Sequence, residues 1–167
     1  MMKKIFLLTS LVLVLLTGCE EYIGGGKEWD VYPINIDIYV QDSEGNDLLS
    51  SSNANNILKD SIYVAYDGLE FPLGKDMSEE VMTRAYMAVL SGLKLLKYGN
   101  EHYLTFGEFD GAKDWDDTFE IYWGDNSKDV IRFQRDFEWA IDGSPKIKSE
   151  ALYLNDKKVE DKMVIIR

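Results

Sequence analysis

The chain has 167 residues and a formal net charge of −12 at pH 7, because 30 Asp and Glu outnumber 18 Lys and Arg. A surface of that sign repels phosphate backbones and anionic lipid headgroups, so we expect no nucleic-acid partner and no basic membrane-binding patch. The single cysteine cannot form an internal disulfide. The length suits one domain that is stabilised by a packed core.

The first residues have the layout of a secretory signal peptide. Two lysines precede an apolar run over residues 5–16, which is short for a transmembrane helix. The run leads into Leu16-Thr17-Gly18-Cys19, which closely resembles the lipobox of bacterial lipoproteins. The resemblance implies that residues 1–18 are cleaved and that the Cys19 thiol is lipidated, which would anchor the protein to a membrane.

The residues that follow the cysteine indicate where in the cell envelope the protein is located. Glu20 and Glu21 resemble the acidic export tags that send some lipoproteins to the outer face of the outer membrane, so surface exposure is favoured over a periplasm-facing position. Residues 19–28 contain three consecutive glycines and no hydrophobic period, which predicts a flexible tether before a folded domain at 29–167. The whole chain resembles the small acidic lipoproteins of Gram-negative cell envelopes, and this likeness assigns no site residue.

Apolar and polar residues alternate from residue 34 onwards, which predicts strands with one buried face. The first such face consists of Ile34, Ile36, Ile38 and Val40. The same pattern predicts strands over 61–67, 118–123 and 130–141, a returning strand over 69–73 and a closing hairpin over 151–166. Arg135 falls on an apolar face, so we expect it to meet a carboxylate or to lie near the end of its sheet. The sum is an all-β fold, a single-domain β-sandwich of Ig-like or Greek-key type with about seven to nine antiparallel strands.

Residues 76–99 fit two structures. Ser78 has the position of a helix cap, and an apolar stripe follows it as far as Leu96. Alternatively, residues 84–96 form a strand that turns at 98–101 and returns over 103–109. The β-rich remainder of the chain favours the strand at 84–96. At most one short helix is then expected in the region 78–97, as a short helix or turn at residues 78–82.

The densest acidic cluster is GEFDGAKDWDDTFE, residues 107–120. Crowded carboxylates repel one another, and calcium would relieve that repulsion, so the candidate calcium ligands are Asp110, Asp114, Asp116 and Asp117. The spacing is not that of an EF-hand loop, and a solvated acidic loop is the plainer interpretation. No other cofactor is indicated. Asp116 and Asp117 could also serve as an acid–base pair for polysaccharide hydrolysis.

Residues for nucleophilic or zinc chemistry are scarce. His102 is the only histidine, and it lies in a predicted hairpin turn; the only cysteine is expected to be acylated. The sequence has no GxGxxG, P-loop or Gly-x-Ser-x-Gly motif. We therefore assign no catalytic residue and favour a non-enzymatic role.

Aromatic residues are abundant, with 4 Trp, 10 Tyr and 7 Phe. Exposed rings beside carboxylates bind sugars, because sugar C–H faces stack on rings while acids accept hydroxyl protons. Trp115 is the first candidate ligand-binding residue, since no core period explains it within the acidic loop. Tyr122 is the second, and it shares with Tyr39 and Tyr63 a position opposite the apolar face of its strand. The plainer interpretation is that the tyrosines pack across strands and that the core takes Trp29, Trp123 and Trp139.

These features predict a lipid-anchored, non-enzymatic protein of the cell envelope. It would bind a glycan or serve as an accessory subunit of an outer-membrane protein complex. A calcium-stabilised structural or adhesion module is the alternative, and a polysaccharide hydrolase that uses paired carboxylates is the second alternative.

Overall fold

A computed structural model describes residue 29, residues 31–74, residue 90 and residues 92–167. Cys19, the predicted signal peptide and tether, and the helix or turn predicted at 78–82 lie outside the described residues. The described part contains no helix, and so none long and apolar enough to cross a membrane.

Ten strands occur in the described part of the chain. They are β1 (Ile34–Gln41), β2 (Tyr63–Tyr66), β3 (Leu69–Pro72), β4 (Leu93–Tyr98), β5 (Glu101–Phe109), β6 (Trp115–Tyr122), β7 (Lys128–Trp139), β8 (Pro145–Leu154), β9 (Lys157–Val159) and β10 (Met163–Ile166). A four-stranded sheet has the order β10-β1-β5-β4, and a six-stranded sheet has the order β3-β2-β6-β7-β8-β9. The predicted all-β sandwich is confirmed, with more strands than the sequence pattern indicated.

One strand pair departs from the predicted antiparallel arrangement. β1 and β10 run parallel, with Tyr39 opposite Val164. A parallel pair needs a long connection rather than a tight turn. These two strands satisfy that need because nearly the whole described chain lies between them in sequence.

The chain divides into two compact units. The larger consists of Val31–Glu138 with Ile147–Arg167 and contains most of the two sheets. Among the described residues, the smaller consists of Trp29 with Trp139–Lys146. In the smaller unit, the backbone N–H of Ala140 donates to the Ser144 carbonyl at 2.9 Å, which closes the turn between β7 and β8.

The alternating pattern of the sequence marks the buried faces correctly. Ile36 and Ile38 of β1 are buried, whereas Asp37 between them is exposed. The two sheets meet where Phe106 of β5 packs against Phe119 of β6, with ring centroids 5.0 Å apart. Burial of such a ring stabilises the fold by about 1.5–3 kcal/mol.

The tryptophans divide between the core and the surface. Trp123 is 1% exposed, as expected of a core residue. Trp29 is 44% exposed and Trp139 is 53% exposed, so their expected place in the core is wrong. Trp139 has the right parity in β7, but it lies past Arg135, the last buried residue of that strand, and is its final residue.

The hairpin predicted at 98–101 is confirmed. β4 and β5 pair from Leu93 opposite Phe106 to Tyr98 opposite Glu101. The return strand carries a bulge against β1, where the pairing skips Glu108 between Gly107 and Phe109. A Cβ atom on Gly107 would lie 2.5 Å from the Ile34 carbonyl oxygen. Only glycine fits so close to the neighbouring backbone.

Candidate functional site

The predicted acidic loop is largely a strand. β6 begins at Trp115, three residues before the strand that the sequence pattern indicates, and it pairs with β7 along its whole length. Side chains alternate between the two faces of a strand. Consecutive residues of this segment therefore lie on opposite sides of the sheet, which separates the side chains that the sequence places side by side.

Trp115 lies on the core side of β6. Its ring centroid is 5.2 Å from that of Phe109, and its indole Nε1 donates to the Asp110 carbonyl at 2.7 Å. The Lys113 ammonium lies 4.3 Å from the centroid of the ring. The expectation that no core pattern accounts for Trp115 is therefore wrong. The same inward row continues through Phe119, and the half-buried indole closes one end of the core.

The structure does not bring the four predicted calcium ligands together. Their separate partners are the Ala112 amide for Asp110, the Phe137 amide for Asp114, the Arg132 guanidinium for Asp116 and the Tyr66 hydroxyl for Asp117. Among the residues that the structure describes, no group of three or more His, Cys, Asp or Glu is placed to hold a metal ion. Calcium binding by this segment stays a prediction.

The carboxylates proposed for hydrolysis face opposite ways. Asp116 lies on the outer side of β6 and is exposed, whereas Asp117 lies on the core side and accepts the Tyr66 hydroxyl proton at 2.7 Å. Burial, with a further contribution from the Asp117 carboxylate, raises the pKa of Tyr66. The structure therefore does not bring Asp116 and Asp117 together on one face, and the hydrolase alternative stays a prediction.

Arg135 and His102, two residues that the sequence singles out, have structural partners. Arg135 is 9% exposed, and its guanidinium contacts the Glu150 carboxylate and donates to the Gly111 carbonyl at 3.1 Å, as its place on an apolar face predicts. His102 is not in a turn, which corrects the sequence interpretation. It is the second residue of β5 and is half-buried. Its Nδ1 lies 2.7 Å from the Asp47 carboxylate.

The outer face of the six-stranded sheet, turned away from the core, carries a row of side chains across four strands. Pro72, Tyr63, Tyr122 and Lys128 are direct neighbours on β3, β2, β6 and β7. The two phenol rings are stacked, with centroids 4.7 Å apart and planes 3° from parallel. We call Tyr63 and Tyr122 the tyrosine stack. Both rings are half-buried, so each keeps an accessible part.

A carboxylate and an ammonium group flank the tyrosine stack. The Tyr122 hydroxyl donates to Glu120 Oε2 at 2.7 Å, and Lys128 Nζ lies 2.5 Å from Glu120 Oε1. The Lys128 hydrogen bond lowers the pKa of Glu120, and the same carboxylate raises the pKa of Tyr122 and of Lys128. Glu120 and Lys128 are therefore both charged at neutral pH, and together they carry no net charge.

A second cluster follows on the same outer row of β6. The Arg132 guanidinium makes two bonds to Asp116, at 2.7 and 2.8 Å, and the Gln134 amide donates to the same carboxylate at 3.2 Å. Arg132 also lies 5.8 Å from the centroid of the Tyr153 ring on β8. We call these four residues the Asp–Arg cluster. The Arg132 hydrogen bond lowers the pKa of Asp116, so this carboxylate is charged at neutral pH as well.

The four-stranded sheet has its own outer tyrosine pair. Tyr39 and Tyr103 lie with ring centroids 5.3 Å apart. Lys162 Nζ lies 3.5 Å from the centroid of the Tyr39 ring and 2.7 Å from the Glu101 carboxylate. The Lys162 ammonium lies closer to the Tyr39 ring than the Lys128 ammonium lies to the Tyr122 ring, where the distance to the centroid is 5.6 Å. An internal cation thus covers this pair more closely, which makes the pair a useful control for the tyrosine stack.

The sequence identifies the outward position of Tyr122 but not the site around it. Its stacking on Tyr63 depends on the pairing of two strands that are far apart in the chain, and the contact of Asp116 with Arg132 depends on the register of β6 and β7. Alternation alone predicts which face a residue occupies and says nothing of its cross-strand neighbour. Comparison of the chain with protein-family models, with curated proteins and with solved structures finds no match.

Proposed function

We propose that this protein is a lipid-anchored, non-enzymatic glycan-binding module of the cell envelope, and that its ligand face is the outer face of the six-stranded sheet. The tyrosine stack is the observation that carries the proposal. Tyrosine combines an apolar ring with a polar hydroxyl, so stacked tyrosines offer a rigid amphipathic surface at a small entropic cost. Sugars have the matching character, since their C–H faces are apolar and their edges are hydroxylated.

The polar groups beside the stack support a sugar ligand. Glu120 accepts hydrogen bonds and Lys128 donates them, and a sugar hydroxyl can do both at once. Because these two residues compensate each other's charge, the surface does not select a charged ligand by attraction alone. The strand pair under the stack has ladder hydrogen bonds, which hold the groups in place before any ligand arrives.

The lipobox-like Leu16-Thr17-Gly18-Cys19 supports the envelope location, and Glu20-Glu21 supports display on the outer face of the outer membrane. A protein tethered there by residues 19–28 would meet glycans of the surroundings or of the cell surface. The acidic composition agrees with a domain held by its lipid rather than by a basic patch.

A glycan array tests the proposal with mature, lipidated protein in detergent. We expect wild type to bind a subset of the arrayed glycans, Tyr122→Ala to lose at least ten-fold in signal, and Tyr103→Ala to keep it. Tyr103 is the matched control because it is a half-buried outward tyrosine of the other sheet. Melting curves establish that both variants are folded. Equal signals from the two variants, or no signal from wild type, would contradict the proposal.

A further inference from the structure

The tyrosine stack and the Asp–Arg cluster belong to one continuous row. Asp116, Thr118, Glu120 and Tyr122 all point outward from β6. Asp116 and Tyr122 are six residues apart, which corresponds to about 20 Å along a strand. The polar and aromatic groups of the outer face thus form a strip along the strand rather than one compact spot.

The two ends of the strip have the same chemical composition. At one end, Tyr122 and Lys128 accompany the Glu120 carboxylate, and the Lys128 ammonium lies 5.6 Å from the Tyr122 ring centroid. At the other end, Arg132 and the Tyr153 ring accompany a carboxylate in the same way. Each end therefore combines a ring, a cation and an anion, and each can offer donors, acceptors and an aromatic surface to a polyhydroxylated ligand.

Both clusters reach solvent although their charges are paired. The Asp116 side chain is 56% exposed and that of Arg132 is 45% exposed. Each cation is held by a carboxylate of the same strip, so an anionic polysaccharide would have to compete with these internal partners. A neutral chain needs no such exchange, because its hydroxyl groups can join the existing pairs as additional donors and acceptors.

We infer that the strip is a binding surface for an extended neutral oligosaccharide that lies along β6, with one subsite at the tyrosine stack and a second at the Asp–Arg cluster. The inference rests on the proposed glycan-binding function and specifies its ligand class. A monosaccharide fills one subsite only, so affinity rises with chain length until both subsites are occupied. The second subsite then contributes ligand-binding residues in addition to Tyr122, namely Arg132, Gln134 and Tyr153.

The test uses full-length lipidated protein in detergent and ladders of neutral oligosaccharides prepared from maltodextrin, cellulose, xylan and mannan. Each ladder runs from monosaccharide to hexasaccharide, and affinity is measured by calorimetry. We expect wild type to bind the hexasaccharide of at least one ladder at least ten-fold more tightly than its monosaccharide. Tyr122→Ala and Arg132→Ala should each remove most of that gain, and Tyr103→Ala should not.

A second variant guards against misfolding of Arg132→Ala. Gln134→Ala removes one exposed 3.2 Å bond to Asp116 and should also weaken hexasaccharide binding while the melting temperature stays near that of wild type. Monosaccharide affinity equal to that of the hexasaccharide, or full binding by both variants of the Asp–Arg cluster, overturns the second subsite and leaves the proposed function standing. If the protein binds only anionic glycans on the array and none of the four neutral ladders, the inference of a neutral ligand is overturned. If no glycan on the array binds either, the proposed glycan-binding function itself is contradicted.

Discussion

Asp116 and Asp117 are consecutive in the chain, yet they lie on opposite faces of β6. Asp116 pairs with Arg132 on the solvent side, and Asp117 accepts the Tyr66 hydroxyl proton on the core side. The two neighbouring carboxylates therefore make unrelated interactions, one in the exposed strip on the outer face and one that is partly buried on the core side of the sheet. This separation also supplies matched pairs of substitutions, because equivalent contacts occur in exposed and protected settings.

The Tyr66–Asp117 bond should contribute more to stability than the Tyr122–Glu120 bond of equal length, because burial is the main cause of the raised pKa of Tyr66, whereas the Glu120 hydrogen bond is the main cause at Tyr122. Tyr66→Phe leaves the half-buried Asp117 carboxylate without this donor, so we expect a loss of about 1–2 kcal/mol in the free energy of unfolding. Tyr122→Phe breaks a bond of 2.7 Å to Glu120, which keeps its Lys128 partner, so we expect a smaller loss in the free energy of unfolding. Urea unfolding measures both variants. Equal losses would show that burial does not distinguish the two bonds.

Arg135 and Arg132 lie three residues apart on β7, and they should also differ in their contribution to stability. The substitution of the buried Arg135 should lower the free energy of unfolding more than that of the exposed Arg132. Arg135→Ala removes a buried guanidinium that contacts Glu150 and Gly111, and we expect it to cost about 1–3 kcal/mol. Glu150 is partly exposed, so its loss of a partner adds less than a fully buried charge would. Arg132→Ala removes a solvent-exposed pair and should lower the free energy of unfolding by clearly less than Arg135→Ala does. Urea unfolding again decides, and the reverse order of stabilities would contradict the assigned burial.

The bulge at Gly107 should not tolerate a side chain. A Cβ atom there would lie 2.5 Å from the backbone oxygen of Ile34, and the φ angle is +150°. Gly107→Ala should lower the free energy of unfolding by at least about 2 kcal/mol, because two strands must separate locally. Gly99→Ala is the control, since its φ is +61° but no atom lies within 4 Å of its Cβ position. We expect thermal melts to show a clearly smaller loss for Gly99→Ala, of about 1 kcal/mol.

The turn between β6 and β7 should contribute to acid unfolding. Hydrogen bonds from Ser127, with help from Arg167, lower the pKa of Asp125 to about 2 from its ordinary value of 3.8. A carboxylate whose pKa is depressed by folding stabilises the protein above the unfolded-state value, and that contribution disappears as the pH falls from near 4 towards 2. Asp125→Asn should therefore be less stable than wild type at pH 7, and the difference should shrink in that interval.

Melting temperatures between pH 2 and 7 check this behaviour. Asp161→Asn removes the same charge from another exposed position, and we expect its melting temperature to follow that of wild type in parallel across the whole range. A constant offset between Asp125→Asn and wild type down to pH 2 would exclude Asp125 as a contributor.

The proposed lipid anchor on Cys19 predicts a simple biochemical phenotype. Cys19→Ser removes the thiol that the lipobox resemblance marks for acylation, so the variant should lose metabolic labelling with a fatty-acid probe and leave the detergent phase on phase separation. A matched Thr17→Ser variant changes the neighbouring motif conservatively and should keep its label. Protease treatment of intact cells then tests display: digestion of the wild-type domain is expected, and protection would favour a periplasm-facing position.

Alternation along β1 made its buried face predictable, and the turn at 98–101 was predictable from its residues. The start of β6 was not predictable, because Asp114, Asp116 and Asp117 are poor strand formers and their local sequence is typical of a loop. Pairing with β7 supplies the ladder bonds and the arginine partner that make a strand there favourable. β8 was also missed over residues 145–150, where mostly exposed polar side chains give no apolar alternation.

The all-β class and the core faces of the strands follow from residues that are close together in the chain, so they could be predicted from the sequence alone. The same kind of local pattern predicts the candidate anchor at Cys19. The tertiary structure decided that Trp115 closes the core, that Tyr122 stacks on Tyr63 and that Asp116 joins Arg132 on the outer face. These contacts depend on strand register and sheet order, which are set by packing between distant segments. A period of two in the sequence assigns a residue to a face, and only the pairing of strands gives that residue its neighbours.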